Sequence, residues 1–309
     1  MRRLYLDIAK LALSAALIWF SFSRIDSAAA FALLGTVHPA AVAAAIALLV
    51  AQHALGGLRF HYLLAQLRTP VSKLAAVENV FIGFFFSQIF ISFIGVDAVR
   101  VWRLVDAGIP ASGAFKSVLF DRVLGFVSLI ALILIGLPAL FPIVTDQTMR
   151  ANVVVTVVIG VVATLAFLLM HRLPQFLQRW RLFRAASEIS ALALSMSSRP
   201  AAIAYLLGIS MLIQLVNVFG MVVIAWGLGI TSSFLNFLVL VPPVMLLAIL
   251  PISFAGWGVR EASMALALGL VGIPAEQSVA ISICFGLCLL VSGLPGAIGW
   301  LKTRRNTPA

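Results

Sequence analysis

The sequence has very few charged residues. Asp, Glu, Lys and Arg make up 10% of its 309 residues, and 63% of the residues are hydrophobic, whereas a soluble domain carries about 25% charged residues. No water-soluble fold can bury this much apolar surface, so the lipid bilayer must be the solvent. The composition therefore excludes a soluble protein and predicts an all-α polytopic membrane protein.

Residues that ligate metals or carry out catalysis are also scarce. Cys284 and Cys288 lie one helical turn apart in an apolar run, where we interpret them as small buried residues. The histidines lack the spacing of metal ligands; they are His38, His53, His61 and His171. No Walker or dinucleotide loop is present, since "GWGVRE" lacks the pattern. We expect no metal and no cofactor, and a transporter rather than an enzyme, with an activity built from Asp121 and Glu261 as an alternative.

Acidic residues are outnumbered by basic ones, 10 to 21, which gives a net charge of +11. A basic balance can indicate nucleic-acid binding, but here the basic residues cluster between apolar runs. That distribution is typical of membrane topology signals and of contacts with anionic lipids. We therefore expect membrane lipids with anionic headgroups as partners, and no nucleic acid.

Long apolar runs, in contrast, are abundant. They form eight segments, at roughly residues 5–23, 39–66, 74–94, 112–140, 151–171, 200–226, 233–251 and 276–301. A membrane-spanning helix needs about 20 apolar residues. The third and seventh segments run into polar tails, "GVDAVRVWRLVDAGIP" and "GWGVREASMALALGLVGIP". The first segment resembles a signal peptide cleaved near "SAAA", but Arg24 and Asp26 precede the small residues and favour an uncleaved span.

The positions of the basic residues predict the topology. Both ends of the chain are basic, through Arg2, Arg3, Lys10, Lys302, Arg304 and Arg305. Both termini should therefore lie in the cytoplasm, as should Arg68, Lys73 and the basic segment 172–199. Three apolar segments lie between Lys73 and Arg172 and three between Arg199 and Lys302, so each set returns to the cytoplasm only if one of its segments turns back within the membrane. We predict six full spans plus two re-entrant hairpins in the cytoplasmic (inner) membrane of a bacterium. Such irregular backbone must be buried in protein or line a watery cavity.

One stretch differs in kind from the apolar segments. Residues 172–199 carry five arginines, and apolar residues recur among them at a spacing of three to four from Leu173 to Phe183. This pattern predicts an amphipathic cytoplasmic helix that lies on the membrane surface. A plain basic loop is the alternative, and it too would be cytoplasmic.

The two polar tails resemble each other. "ISFIGVDAVR" at 91–100 matches "ISFAGWGVRE" at 252–261, and both are followed by "GIPA" and then by "SV". The topology makes the two copies enter from opposite faces, which predicts an inverted repeat within a single transmembrane domain (1–309), with halves around 74–140 and 233–301. Many secondary transporters have this architecture, with the substrate at the repeat interface. Chance similarity between common residue types is the alternative.

Charged residues inside apolar segments are the strongest functional signal, because each costs about 2.5–3.5 kcal/mol on insertion scales. They are Arg59, Glu78, Asp97, Arg100, Arg103, Asp121, Arg122, Arg260 and Glu261. Asp121 and Arg122 are adjacent, so they point to different sides of one helix and each needs a partner elsewhere. One interpretation is structural: an interhelical ion pair such as Arg100 with Asp121, and a surface ion pair between Arg260 and Glu261.

The second interpretation is that Arg100 and Arg260 bind the phosphate of a headgroup. A guanidinium fork suits phosphate oxygens, and a broken helix end adds free N–H donors. Glycines let a headgroup approach the backbone. This hypothesis assigns substrate binding to Arg59, Ser92, Gly95, Asp97, Arg100, Arg103, Asp121, Arg122, Ser253, Gly256, Arg260 and Glu261.

The blocks "ISFIGVDAVRVWRL", "SVLFDRVLGF", "LPISFAGWGVREA" and "GLRFHYLL" resemble the transmembrane region of lysylphosphatidylglycerol synthases over essentially the whole chain. Free-standing members of that family are described as flippase-like membrane proteins. The first block usually reads Gly-Gly-Asp there, whereas here it is Gly95-Val96-Asp97, so this backbone is less permissive. The resemblance implies moving or presenting a lipid with a charged or phosphorylated headgroup. Without a soluble synthase domain, it does not imply aminoacyl transfer.

Three functions follow from these observations. The first is a flippase or transporter that moves a lipid with an anionic or phosphate-containing headgroup between leaflets. The second is a membrane-embedded transferase or hydrolase acting on a lipid phosphate. The third is an accessory subunit that partners a cytosolic or membrane-bound lipid-modifying enzyme through the basic segment 172–199. The sequence does not specify the lipid, the energy source or the oligomeric state.

Overall fold

The computed structural model describes residues 32–69, 71–89, 93–172, 174, 180–249 and 257–305. This part of the chain is helical and contains no strand. The fold class expected from the composition is thereby confirmed. The helices are α1 Pro39–Gln66, α2 Lys73–Ile89, α3 Phe93–Asp106, α4 Ala111–Ile143, α5 Gln147–Leu169, α6 Arg181–Ser197, α7 Pro200–Gly227, α8 Phe234–Ile249, α9 Val259–Gly269 and α10 Ala275–Arg305.

Five of the described helices are long and apolar enough to cross a membrane. Those stretches are Pro39–Gln66, Ala111–Ile143, Val153–Arg172, Pro200–Gly227 and Ala275–Leu301. The first predicted span, residues 5–23, lies outside the described residues, as do residues 306–309. The helices agree with five of the six expected spans, and the total number of spans stays a prediction.

Two pairs of shorter helices interrupt this series. α2 and α3 have 17 and 14 residues, and α8 and α9 have 16 and 11. At about 1.5 Å per residue each is shorter than the roughly 30 Å hydrocarbon core. The helices of each pair pack against each other. The first pair divides at residues 90–92, within the third apolar segment, so that Gly95 and Asp97 of its polar tail belong to α3, and the second pair divides at residues 250–258, at the end of the seventh segment. The re-entrant course of the hairpins stays a prediction.

The repeated "GIPA" motif occupies the same structural place in both halves. Gly108 and Gly272 have φ angles of 88° and 80°, in the left-handed region that glycine adopts without steric cost. Pro110 and Pro274 follow, and the next long helix begins at Ala111 or Ala275. Each short pair is therefore joined to a long helix, α4 or α10, by the same kind of turn.

Helix directions follow from a few close contacts. Gly57 packs against Val77, so α1 and α2 are neighbours, and Gly296 packs against Phe81, so α2 and α10 are neighbours. His53 of α1 contacts Phe84 of α2, and Gly293 of α10 contacts Phe85. In both helix pairs residue numbers rise in opposite directions, so α2 is antiparallel to α1 and to α10. The C-terminal ends of α1 and α10 therefore lie on the same face of the bundle.

Apolar side chains both fill the interior and cover the exterior. Phe60, Phe237 and Phe285 are fully buried, whereas Ile135, Ile159 and many other large apolar side chains are exposed. Such an exterior is expected where lipid, not water, contacts the helices. Small residues let the helices approach closely where they cross.

The segment predicted as an amphipathic helix is helical over Arg181–Ser197. Ile189 is fully buried, while Glu188 forms an ion pair with Lys116 of α4 at 2.9 Å. Residues 173 and 175–179 of the predicted segment lie outside the described residues. A location on the cytoplasmic membrane surface stays a prediction.

Replacing Gly296 with Ala should lower the thermal stability of the purified protein. A Cβ at this position would overlap the carbonyl group of Phe81, and backbone cannot move aside as a flexible side chain can. Overpacking of this kind typically costs about 1–3 kcal/mol. The matched control is Gly208→Ala in α7, where no atom lies within 4 Å of the new Cβ. Equal melting temperatures for the two variants would contradict close α2–α10 packing.

Candidate functional site

Three charged side chains predicted from the sequence meet between α1, α3 and α4. Arg59 donates from Nε to Asp121 Oδ1 at 3.0 Å, and its Nη2 lies 2.8 Å from the same oxygen. Arg100 donates from Nη1 to Asp121 Oδ2 at 3.1 Å. One carboxylate thus bridges two guanidinium groups from two other helices. The ion pair expected between Arg100 and Asp121 is present.

Two further polar residues complete this site, and sequence reasoning missed both. Asn79 of α2 accepts from Arg100 Nε at 3.0 Å and donates to the Arg100 carbonyl at 2.9 Å. Ser210 of α7 accepts from Arg59 Nη1 at 2.8 Å. Both are polar residues in largely apolar helices, which was the available signal. We call Arg59, Asn79, Arg100, Asp121 and Ser210 the Arg100 cluster.

The Arg100 cluster is buried and its charges do not balance. Arg100 is 5% exposed and Asp121 is 4% exposed, with Arg59 also buried. The cluster contains two guanidinium groups and one carboxylate, which leaves an excess of one positive charge. A buried charge is costly unless it is paired, so this site is suited to an anion.

Arg100 also has an unused donor. Its Nη2 is buried and has no hydrogen-bond partner among the residues that the structure describes. The guanidinium lies over the ring of Phe60, 4.4 Å from the centroid, and its methylene groups pack where Gly83 leaves room. These apolar contacts fix the orientation of the guanidinium while leaving one nitrogen available for a ligand.

Other predicted residues form ion pairs nearer the surface of the bundle. Arg122 donates from Nε to Asp97 at 3.0 Å, and Arg103 donates to Glu78 at 3.4 Å. Asp97, Arg122 and Glu78 are partly exposed, unlike the Arg100 cluster. Asp121 and Arg122 therefore do bond on different sides of α4, as their adjacency requires.

The second predicted site lies between α9 and α10. Arg260 donates from Nη2 and Nε to Glu261 Oε1, at 2.7 and 3.1 Å. Ser282 accepts from Arg260 Nε at 3.0 Å and donates to Glu261 at 2.9 Å, and the N–H of Gly258 donates to Oε2 at 2.6 Å. Trp257 covers the guanidinium at 4.8 Å. We call Trp257, Gly258, Arg260, Glu261 and Ser282 the Arg260 cluster.

The surface ion pair considered for Arg260 and Glu261 is wrong, because the two residues are 5% and 2% exposed. Removing one member of a buried, hydrogen-bonded pair costs far more stability than removing one member of an exposed pair. The Arg260 cluster carries one charge of each sign and is balanced. It therefore differs from the Arg100 cluster, in which one cation is in excess.

The two clusters are built alike. Each hairpin arginine bonds to a side chain on the long helix that follows its turn, 21 residues later for Arg100 and 22 residues later for Arg260. The bonded residues, Asp121 and Ser282, each lie four positions after the Ser of the repeated "SV" dipeptide. In the second copy the carboxylate is supplied by Glu261, next to its arginine. The repeat alignment was therefore the signal for Ser282, which sequence reasoning did not select.

The clusters lie at different depths. Arg100 packs on Gly83, close to Phe81 and hence to the level of Gly296, whereas Arg260 packs on Gly286. The two levels are about 15 Å apart along α10, at about 1.5 Å per residue. Arg59, Arg100 and Asp121 lie about 10–15 Å from the helix ends on one face of the bundle. Arg260 lies in the first turn of α9, and Ser282 lies about 10 Å from the start of α10 on the opposite face.

Three predicted residues, Ser92, Ser253 and Gly256, lie outside the described residues. Gly95 falls within the first turn of α3. Their assignment to substrate binding stays a prediction, as it does for the other residues of the proposed set.

The chain matches one family over nearly its full length. The family is described as "Lysylphosphatidylglycerol synthase TM region", and the match covers residues 8–296. No curated protein and no solved structure matches the chain. The matched region contains both pairs of short helices and both clusters. The protein therefore belongs to the lysylphosphatidylglycerol synthase transmembrane-region family of integral membrane proteins.

Proposed function

We propose that this protein is a flippase-like transporter that moves a lipid with an anionic or phosphate-containing headgroup between the leaflets of a bacterial cytoplasmic membrane. The uncompensated positive charge of the Arg100 cluster carries the proposal. A phosphate that accepts from Arg100 Nη2 would balance the charge and use the unpaired donor.

The Arg260 cluster supplies a second candidate binding site for the headgroup. Its arginine lies on the second helix of the second short pair, as Arg100 lies on the second helix of the first, and it also bonds to the long helix that follows. Because Glu261 already neutralises it, this arginine needs an exchange of partners before it can bind phosphate. We propose that the Arg100 cluster holds the headgroup more tightly and that the Arg260 cluster binds it transiently.

The arrangement requires that the two hairpins are reached from opposite sides of the membrane. Ala107→Cys and Ala275→Cys each place one thiol in the turn between a short helix pair and the long helix that follows it. The background carries Ala in place of Cys284 and Cys288. An impermeant maleimide should label Cys at 107 only from the cytoplasmic side and Cys at 275 only from the other side. Labelling of both from one side would show that the repeat is not inverted.

Transport itself is tested with purified protein in vesicles. An acyl-labelled phosphatidic acid is placed in both leaflets, and a membrane-impermeant quencher measures how fast the inner-leaflet label becomes accessible. Exchange at least tenfold faster than in protein-free vesicles, with much less acceleration of labelled phosphatidylcholine, supports the proposal. A chemically altered lipid in place of exchange favours the transferase or hydrolase alternative. The absence of both lipid exchange and lipid modification would favour an accessory role.

A further inference from the structure

Between the two arginine clusters lies a second group of buried polar residues. His53 of α1 contacts Ser292 of α10, with 3.0 Å between Nε2 and Oγ. Ser292 lies on α10 between Gly286, at the Arg260 cluster, and Gly296, at the level of the Arg100 cluster. Gln52 precedes His53 on α1, and the two are 5% and 1% exposed. These residues therefore lie at the middle depth of the bundle.

Asn217 of α7 lies at the same level. α7 runs antiparallel to α1, because Gly227 packs on Ala41 near one end and Tyr62 stacks on Tyr205 near the other. Arg59 bonds to Ser210 between these contacts. This register places Asn217 opposite Gln52, one to two turns from the Arg100 cluster.

Three atoms of this group are buried without a hydrogen-bond partner in the described part of the chain. They are Gln52 Oε1, His53 Nδ1 and Asn217 Oδ1. Native proteins pair most buried polar groups, so three such atoms at one depth indicate a function.

All three atoms are acceptors. In the arrangement in which Ser292 Oγ donates its hydrogen to the Leu289 carbonyl at 2.9 Å, it accepts from His53. The Nε2 of His53 therefore carries the hydrogen, and in a neutral imidazole Nδ1 then has a free lone pair. The amide oxygens of Gln52 and Asn217 are acceptors by chemistry. These acceptors complement a ligand that donates hydrogen bonds and that spans the two sides of α1 to which the adjacent Gln52 and His53 point.

We propose that Gln52, His53 and Asn217 form a mid-membrane site for the hydroxyl groups of a polyol headgroup. A hydroxyl is favoured over an ammonium group, because a buried cation needs a carboxylate. The interior carboxylates at Asp121 and Glu261 are already bonded to arginines. The proposal rests on the proposed function for the phosphate, which stays near Arg100 while the hydroxyls reach the acceptors. The substrate class is therefore a phospholipid with a hydroxyl-rich, uncharged headgroup.

Binding is measured in detergent, so that the result does not depend on transport. Short-chain phosphatidylinositol, phosphatidic acid and phosphatidylethanolamine with identical acyl chains are titrated, and tryptophan fluorescence gives each Kd. The parent protein should bind phosphatidylinositol at least about tenfold more tightly than the other two, since each neutral hydrogen bond contributes roughly 2- to 10-fold. In Gln52→Met and Asn217→Leu this preference should fall to about threefold or less.

The two variants also separate a ligand site from a structural network. Replacing an unpaired buried acceptor with an apolar group of similar shape should keep or raise the melting temperature without lipid. Ser128→Ala is the matched control, because Ser128 is buried and its Oγ donates only to the Gly125 carbonyl of its own helix. This control should retain the lipid preference.

Equal affinity for phosphatidylinositol and phosphatidic acid would overturn the site, even if the protein transports both lipids. Tighter binding of phosphatidylethanolamine would overturn it in favour of an ammonium site. A lower melting temperature with unchanged lipid preference in both variants would show that the residues only stabilise the fold. The parent protein could prefer phosphatidylinositol, and the variants lose that preference, while no lipid exchange is seen in vesicles. This result would support the site and refute transport.

Discussion

Asp121→Asn should leave little folded protein after purification. Asp121 is the carboxylate partner of both Arg59 and Arg100. Removing it leaves two guanidinium groups in a buried site with neutral partners alone: Asn79, Ser210 and the backbone carbonyl of residue 121. Breaking a buried pair by removing one partner typically costs about 3–5 kcal/mol, which is a large part of the 5–15 kcal/mol that stabilises a typical domain. Yield and melting temperature in detergent measure the effect.

Asp97→Asn is the matched control for that experiment. Asp97 pairs with Arg122 at 3.0 Å, but the side chains are 28% and 38% exposed. An ion pair this accessible contributes about 0–1 kcal/mol, so yield and melting temperature should stay near those of the parent. If Asp121→Asn behaves like Asp97→Asn, the Arg100 cluster lies in water and its charges need no internal balance.

Arg100→Gln should have the opposite profile, with folding retained and transport lost. The substitution removes the excess positive charge and leaves Arg59 and Asp121 as a balanced pair. Glutamine can still bond to Asn79, so the melting temperature should fall much less than in Asp121→Asn. Exchange of labelled phosphatidic acid should slow about 10- to 100-fold, because a charge-assisted hydrogen bond contributes about 1.5–3 kcal/mol. Initial exchange rates in vesicles measure this effect.

Arg199→Gln is the control for the loss of one arginine. Arg199 is exposed and donates to Gln66 at the end of α1, far from the Arg100 cluster. It should exchange lipid at the parent rate. Arg100→Lys adds a second criterion, because lysine keeps the charge but loses the planar fork. Parent-like exchange in Arg100→Gln, at equal amounts of folded protein, would show that the headgroup does not bind there.

The helical membrane fold could be read from composition and apolar run length, because a bilayer accepts only backbone that satisfies its own hydrogen bonds. The long segments have the expected positions. Pro251 and Gly256 lie between α8 and α9, whereas the first pair divides at residues 90–92, before Gly95 and Asp97, which belong to α3. The inclusion of Arg100 and Asp121 in one ion pair could also be predicted, since a charge in an apolar helix needs a partner. The family resemblance rested on the same interrupted blocks, and the family match confirms it.

The amino-acid sequence identifies the residues that are unusual for their surroundings, which are charges and amides in apolar helices. It does not show how many partners each residue has, because the partners come from helices distant in the chain. That Asp121 bonds to two arginines while Glu261 bonds to one follows from the packing of the helices. The charge excess of the Arg100 cluster, the neutrality of the Arg260 cluster and the unpaired acceptors around His53 all follow from packing. Burial makes these differences matter, since an unpaired charge or acceptor costs little in water and much in the interior of a membrane protein.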